Sequence, residues 1–468
     1  MHMARAQRPQ VQDLIAQLAP GQPLPAAVLA ERLGVDRMAL SRLVAASGPQ
    51  VVRMGSTRAT AYALRQATRA GSEWPLYRLS EDATLQELGR VIALAGGCFH
   101  VDTRRDRPNL RRAPDGDVAA FFPDLPWYLD DLRPQGFLGR SFAHGRAQAL
   151  GLPKDLKGWQ LDDVLTALVS AGGTEAGDLL LGSGAADAAL AEQQAPSDRV
   201  AVDDRLREYP ERARAVLDGE DVGSSPGGEQ PKFTATVEAR GARRAVLVKF
   251  AQPDGGAAAQ RWSDLLVCEH LALETLREAG EASAYSELLQ SATHTFLEVE
   301  RFDRTRNALG RRGLVSLMSL SSAFVGDVGS AWHVAGAALQ AQGWLTADTV
   351  QAMGRRHAFG RLIGNSDMHH GNIGFHFIDR GPLPLAPVYD MLPMSLVPSK
   401  LGVLRADEPL PPIELLGSGD LQHLRWAAPV AETFWQRVAV DDRIQSPAMR
   451  ALAQANTVRV RQMGARFG

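Results

Sequence analysis

The chain has only two cysteines, Cys98 and Cys268, among 468 residues. That excludes a disulfide framework and any zinc site built mainly from thiolates. Nor is there a run of about 18 apolar residues, so no spanning helix is expected. The opening stretch MHMARAQRPQ carries arginines but no apolar segment of a secretory signal, which argues against export and for the cytoplasm. Lysine is scarce as well. Of 51 basic residues only Lys154, Lys157, Lys232, Lys249 and Lys400 are lysine. Where arginine is the default cation, a lysine inside an apolar strand calls for a reason.

What remains is an ordinary globular composition, 45% hydrophobic and 22% charged, long enough for two or three domains. Net charge is −2, but it is unevenly spread. Residues 1–70 hold nine arginines against Asp13, Glu31 and Asp36, giving 9 − 3 = +6, so the remainder sums to −2 − 6 = −8. A basic head on an acidic body points to nucleic acid at the head alone.

Within that head, helical patterns cover Gln10–Leu18, Ala26–Leu33 and Asp36 to about Ala46, with Asp36 as N-cap and a tight turn at Gly34. Val28, Leu29, Leu33, Val35, Leu40 and Leu43 recur at helical spacing and should form one small core. Val51–Met54 and Ala59–Leu64 read as a hairpin around Gly55-Ser56-Thr57. Three helices and a hairpin make a winged helix-turn-helix. Such a domain would offer Arg37, Ser41 and Arg42 from its third helix and Arg53 and Arg58 from its wing to operator DNA. A winged helix used for protein contacts is the competing reading. Operator DNA is normally read by a dimer, so the DNA reading carries a homodimer with it.

Further along, Leu85–Ala95 reads as an amphipathic helix and Phe121–Leu132 as an aromatic, partly buried stretch. Gly182-Ser-Gly-Ala-Ala-Asp187 faintly resembles a dinucleotide fingerprint, but its third glycine is Asp187, and a turn suits it better. From about residue 220 a Gly/Ser/Pro loop precedes strands at Phe233–Val237, Ala245–Phe250 and Thr295–Val299, with a helix near Ala259–Ala279. Helices dominate from Leu345 onward, interrupted by a polar loop at 364–372 and a strand at Ile373–Phe377. A β-rich part followed by a helical part is the order of a two-lobed kinase.

Three segments carry chemistry. Gly364-Asn-Ser-Asp-Met-His-His-Gly-Asn372, followed by Val388-Tyr-Asp390, supplies a loop Asp, an Asn five residues on, and a second Asp after a strand. Phosphoryl transfer needs such a set: Asp367 to orient the attacking hydroxyl and take its proton, Asn372 and Asp390 to hold Mg²⁺. A polar surface loop is the plain alternative. His369, His370 and His376 could instead suggest a metal cluster, although adjacent side chains in an extended segment point apart. In Ala-Val-Leu-Val-Lys249-Phe the lysine needs anionic partners. The phosphates of ATP and Glu269 on the following helix are the candidates. Ser225-Pro-Gly-Gly-Glu-Gln-Pro-Lys232 is a flexible loop whose N–H groups, at Gly227 and Gly228 above all, could approach phosphate.

Together these segments resemble the HipA family of bacterial toxin kinases. The matching pattern is S-x-x-G-x-Q-x-K at 225–232, the strand lysine Lys249, Glu269, Glu300-Arg-Phe-Asp-Arg304, G-N-x-D-x-H-x-x-N at 364–372, and Tyr389-Asp390. The likeness covers roughly 75–420. It implies a two-lobed α+β kinase-like fold and Ser/Thr phosphorylation with ATP and Mg²⁺. It also implies nucleotide contacts from Gln230, adenine contacts around Glu300 and Phe302, and autophosphorylation at Ser225 or the adjacent Ser224. Members characteristically phosphorylate an aminoacyl-tRNA synthetase, so a protein substrate of that kind is implied here. Two departures stand out: Gly371 replaces a lysine common before the metal-binding Asn, and the DNA-binding segment is fused. The second resembles the stand-alone, YjjJ-type branch. The expected division is 1–70 (winged helix-turn-helix), 71–205 (HipA-like N-terminal subdomain), 206–303 (N-lobe) and 304–468 (C-lobe). A DNA-binding regulator with an inactive lobe, and a small-molecule kinase of the aminoglycoside phosphotransferase kind, are the competing functions.

Overall fold

The structure, a computed structural model, describes residues 8–104, 106–114, 120–218, 230–252, 256–307, 309–399, 402–404, 408–415 and 419–467. Ser224, Ser225, Gly227 and Gly228 lie outside the described residues, as does the side chain of Arg58.

The first segment folds as helices Val11–Leu18, Ala26–Leu33 and Arg37–Ala46 and a three-stranded antiparallel sheet. In that sheet Ala61–Leu64 lies between Leu24–Pro25 and Val51–Met54. Gly34 closes the second helix in the left-handed region (φ 63°), where glycine carries no Cβ penalty. Asp36 then caps the third helix, accepting from Ala39 N–H at 2.7 Å. Leu14, Leu18, Leu29, Leu40, Val51 and Tyr62 form its core. Val28, expected inside, is 37% exposed, because Leu29 and Ala30 carry the buried face of its helix.

Residues Leu85–Leu94 form a strand, not the expected helix. This strand is second-neighbour to the edge in a five-stranded antiparallel sheet ordered Phe121–Phe122, Cys98–Thr103, Leu85–Leu94, Glu73–Leu79, Leu179–Leu181. Val91, Ile92, Ala93 and Leu94 are all buried, since one sheet face meets the main core and the other meets Val52, Met54 and Ala63 of the first segment. Burial on both faces removes the alternation that marks a half-exposed strand. Gly89 (φ 152°) passes so close to its neighbour that a Cβ would lie 2.2 Å from the Asp102 carbonyl, which a helix reading could not foresee.

The second five-stranded sheet runs Ser286–Gln290, Thr295–Glu300, Ala242–Ala251, Lys232–Ala239, Arg199–Ala201. Its last strand pairs parallel and comes from upstream of the expected boundary at 206. Helix Ala257–Glu278 packs on this sheet. The rest is helical: Leu317–Phe324, Trp332–Ala341, Ala347–Leu362, Asp420–Val440 and Pro447–Phe467. Of the expected strand at Ile373–Phe377 only Gly374–Phe375 pairs, with Val315–Ser316. The middle sheet and the helical half share one apolar core, which holds the two against each other. No helix among the described residues is long and apolar enough to cross a membrane.

Candidate active site

Lys249 sits on strand Ala242–Ala251 with its side chain on the face that looks toward helix Ala257–Glu278. The residue is 4% exposed, so its ammonium needs partners. It donates to both carboxylate oxygens of Glu269 at 2.7 Å each, and also to Asp390. Burial disfavours its charge, but Asp390 and Glu269 outweigh that and raise its pKa. Burial alone would lift Asp390; Lys249 prevails and brings it to about 2. Two carboxylates thus share one ammonium, and the surplus negative charge suits a divalent cation bound by oxygen. Asp390 itself has φ 51°, the left-handed region that Asp tolerates better than most residues, and strain of that sort is common where a side chain must be aimed.

Helix Ala347–Leu362 ends at Gly364 (φ 76°), and the loop beyond it is tied down at several points. Asn365 accepts from Asp367 N–H at 3.0 Å and donates to the Asp390 carbonyl at 3.4 Å, joining the two aspartates' backbones through one side chain. Asn372 donates to the Asp367 carbonyl at 2.6 Å, which leaves its amide oxygen as the acceptor end. Trp332 donates its indole N–H to the Met368 carbonyl, and Tyr389 its hydroxyl to the Gly371 carbonyl. The Asp367 side chain is 52% exposed, with His369 Nε2 3.8 Å away. His369 accepts from Gly371 N–H, His370 is buried against the Ser330 carbonyl, and His376 meets Gly313 and the ring of Phe302. The three histidines therefore face three different neighbours.

Lys249, Glu269 and Asp390 line one end of a cleft of about 380 Å³, within the range of small-molecule sites. Glu300, Phe302, Leu247 and Val299 line it from the sheet, while Gly371 and Tyr389 come from the helical half. Phe302 packs against Tyr389, ring centroids 5.6 Å apart, so the Glu300–Phe302 stretch and the Asp390 segment touch directly. Glu300 turns its carboxylate to Arg306 at 2.6–2.8 Å. Gln230 donates to the Phe250 carbonyl, fixing the start of the lysine's partner strand. Arg37, Ser41, Arg42 and Arg53 are all exposed and lie on the first segment, away from this cleft's lining.

The residues that sequence reasoning missed come mostly from the middle of the chain. Leu138 and Phe142 of helix Gly136–Leu150, and Leu168 of helix Leu161–Ser170, form an apolar wall of the cleft. Asp131 accepts from Ser316 N–H and Oγ at 2.6 and 2.7 Å, linking that middle segment to the two-stranded ladder of Val315–Ser316 with Gly374–Phe375. The loop 172–177 is clamped by arginines. Arg301 binds the carbonyls of Thr174 and Glu175, Arg304 those of Glu175 and Gly177, and Arg311 that of Gly173. Asp303 holds the clamp together, accepting from Arg301, Arg304 and Gly177 N–H, and despite full burial these arginines hold its carboxyl well below the usual range. The Glu300–Arg304 stretch is therefore as much a clasp on the middle segment as a wall of the cleft. Only the run of charged residues at 300–304 and 311–312 hinted at it.

Comparison with known proteins places this geometry. The chain is 39% identical over 446 residues to Toxin YjjJ of Escherichia coli (strain K12), covering 94% of this chain and 96% of that protein. It belongs to the HipA-like toxin family, in the YjjJ-like branch. The YjjJ-like toxin middle-domain family matches residues 70–190 and the HipA-like C-terminal domain matches 224–457. A solved Shewanella oneidensis MR-1 toxin–antitoxin complex of HipA, HipB and operator DNA contains a chain of the same fold. It matches with a TM-score of 0.50 and 15% identity, over 84% of this chain and 97% of that one. The mixed α+β architecture is thus HipA-like, and the arginine clasp joins the two matched regions, its loop 172–177 lying in the first and its arginines in the second.

Proposed function

We propose that the chain is an ATP- and Mg²⁺-dependent Ser/Thr protein kinase of the HipA toxin type, acting in the cytoplasm. The observation that carries this is the convergence of Lys249, Glu269 and Asp390 at one end of a cleft whose Asp390 backbone is tied through Asn365 to Asp367. In this reading Lys249, oriented by Glu269, grips the α/β-phosphates. Asn372 and Asp390 hold Mg²⁺, a hard cation that their oxygens suit, and it neutralises charge on the phosphates. Asp367 would orient the substrate hydroxyl and accept its proton as the oxygen bonds to the γ-phosphorus and the bond from that phosphorus to the bridging oxygen breaks, releasing ADP. Gly227, Gly228 and Gln230 belong to the loop over the phosphates, and Glu300 and Phe302 to the adenine end. Ser225, with Ser224 beside it, is the autophosphorylation site. The protein substrate is of the aminoacyl-tRNA synthetase kind that the family resemblance implies.

Residues 1–70 act as a winged helix-turn-helix that reads operator DNA as a homodimer, through Arg37, Ser41, Arg42, Arg53 and Arg58. The solved Shewanella oneidensis complex holds HipA together with HipB and operator DNA, which supports such partners here. Residues 71–205 form the middle subdomain, 206–303 the N-lobe with strand Arg199–Ala201 added, and 304–468 the C-lobe. The test is transfer of labelled γ-phosphate from ATP in a cell lysate, followed by mass spectrometry of the labelled band. Wild type should label itself or a lysate protein, and Asp367→Asn should not, while keeping its melting temperature. No labelling by wild type would overturn the kinase reading.

One observation favours the rival, a DNA-binding regulator with an inactive lobe: Gly371 stands where the family often has lysine, and a Cβ there would lie 2.7 Å from the His369 ring, which would have to turn aside. The rival predicts a salt-sensitive DNA shift that Arg37→Ala weakens, together with no phosphoryl transfer.

A further inference from the structure

The arginine clasp leaves one charge unanswered. Arg301 and Arg304 share Asp303, but Arg311 makes no ion pair among the described residues and gives its Nη2 hydrogens to the carbonyls of Gly172 and Gly173. Its Nη1 is buried and has no hydrogen-bond partner. Burial pushes the Arg311 pKa down, and burial together with Arg301 and Arg311 pushes Arg304 down as well. A buried guanidinium without a counter-charge is costly, so the cluster calls for an anion.

Arg311 lines a partly open cavity of about 40 Å³ that backs onto the cleft, sharing Thr174, Thr234 and Arg301 with its wall. Asp198 lines the same cavity, and its Oδ1 is likewise buried without a partner. Asp198 is held in place by its own carbonyl, which accepts from Thr236 N–H at 3.2 Å. The two unanswered groups make no ion pair with each other, so they sit too far apart to satisfy one another directly. Glu192, the other carboxylate of the lining, is already taken by Ser197 N–H and Oγ. One cavity thus presents an unmet donor of positive charge and an unmet acceptor of negative charge. At about 10–15 Å³ for each water it holds about three waters, the room a carboxylate with an adjacent ammonium needs. Water could bond to each group but would neutralise neither.

We propose that this cavity binds a small free α-amino acid, glycine to serine in size, with its carboxylate on Arg311 and its ammonium on Asp198. The inference stands apart from the kinase reading, since no nucleotide takes part. Gly173 and Thr174 of the clasped loop form part of the lining, so the occupant braces the junction between the middle segment and the strand Lys232–Ala239.

The experiment titrates the full chain with glycine, alanine and serine by calorimetry, and with acetate and methylamine, which each carry one end of the zwitterion. Proteolysis at 172–177 is followed alongside. The three amino acids should saturate one site and slow cleavage of that loop, with acetate and methylamine about tenfold weaker or more. Losing one charged hydrogen-bonded contact should weaken the amino acids about tenfold or more in both Arg311→Met and Asp198→Asn, while Asp198→Asn leaves acetate no weaker than in wild type. If Arg311→Met fails to fold, Asp198→Asn decides alone, because its side chain is only half-buried. No binding of any of the three amino acids to wild type overturns the inference and leaves the kinase reading standing. Acetate binding as tightly as glycine, or Asp198→Asn binding glycine as wild type does, overturns it too.

Discussion

Replacing Lys249 by methionine keeps the apolar stem and deletes the charge, leaving Glu269 and Asp390 side by side without the ammonium that joins them. Glu269 is 1% exposed and receives two 2.7 Å bonds from Lys249, so water cannot take the lysine's place cheaply. Removing one partner of a buried pair leaves an uncompensated charge and costs about 3–5 kcal/mol. The loss should depend on pH. Burial already lifts the Glu269 carboxyl above the usual carboxylate range, and removing Lys249 deletes the charge that restrains that rise, so its folded pKa climbs further in the variant. An acid whose folded pKa is raised destabilises most above its unfolded pKa, and that penalty fades as pH falls toward it. Urea unfolding should therefore show the full deficit near about pH 7.5 and a smaller one near about pH 5. Adding Glu269→Gln to Lys249→Met should recover part of it, with the singles exceeding the double by about 1–3 kcal/mol. Hydrogen exchange should place the loosening in Ala242–Ala251 and Ala257–Glu278. Unchanged stability in Lys249→Met, or an equal deficit at both pH values, refutes the buried ion-pair account.

Two further outcomes follow from the packing. Asp303→Ala strips the arginine clasp of its buried carboxylate and should cost about 3–5 kcal/mol, with faster proteolysis at 172–177 than elsewhere. His357 is held neutral, its pKa lowered from 6.5 to about 3 by burial and then by His333, and burial lowers His333 and His423 as well. Asp420, 3.5 Å from His333, Arg361, bonded to Asp420, and Arg355, near His423, are charged groups facing this cluster. Because the folded pKa is depressed, stability is full above about pH 6.5 and falls as pH drops, by about 2 kcal/mol near pH 5 from His357 alone. His357→Gln should flatten that acid slope in urea titrations; a slope unchanged by the substitution would count against the assignment.

The chemistry of the site was easier to read in the sequence than the scaffold that surrounds it. Lys249 stands out because lysine is rare and a cation in an apolar strand must be paired. The Asp367–Asn372 spacing and Asp390 stand out because polar residues cluster in one loop and one strand end. By contrast, Val91 to Leu94 of the strand Leu85–Leu94 are buried on both faces, so that half carried no strand periodicity, and Arg199–Ala201 is too short to announce the sheet it joins. Leu138 and Phe142 enter the cleft only because the middle segment docks on it, and a leucine and a phenylalanine on a helix look like any other apolar positions. Asn365 was visible within the loop motif, yet its service as a bridge between Asp367 and Asp390 depends on a fold-back that spacing does not encode.

The account turns on Lys249 facing the phosphates of a nucleotide bound in the cleft. An acyl-phosphate derivative of ATP transfers its acyl group to a lysine amine within reach of the phosphates, and mass spectrometry then reads which of the five lysines is modified. The expected result is acylation at Lys249 on the cleft face, abolished by excess ATP. Labelling confined to Lys154, Lys157 or Lys400, or labelling that ATP fails to block, would contradict it.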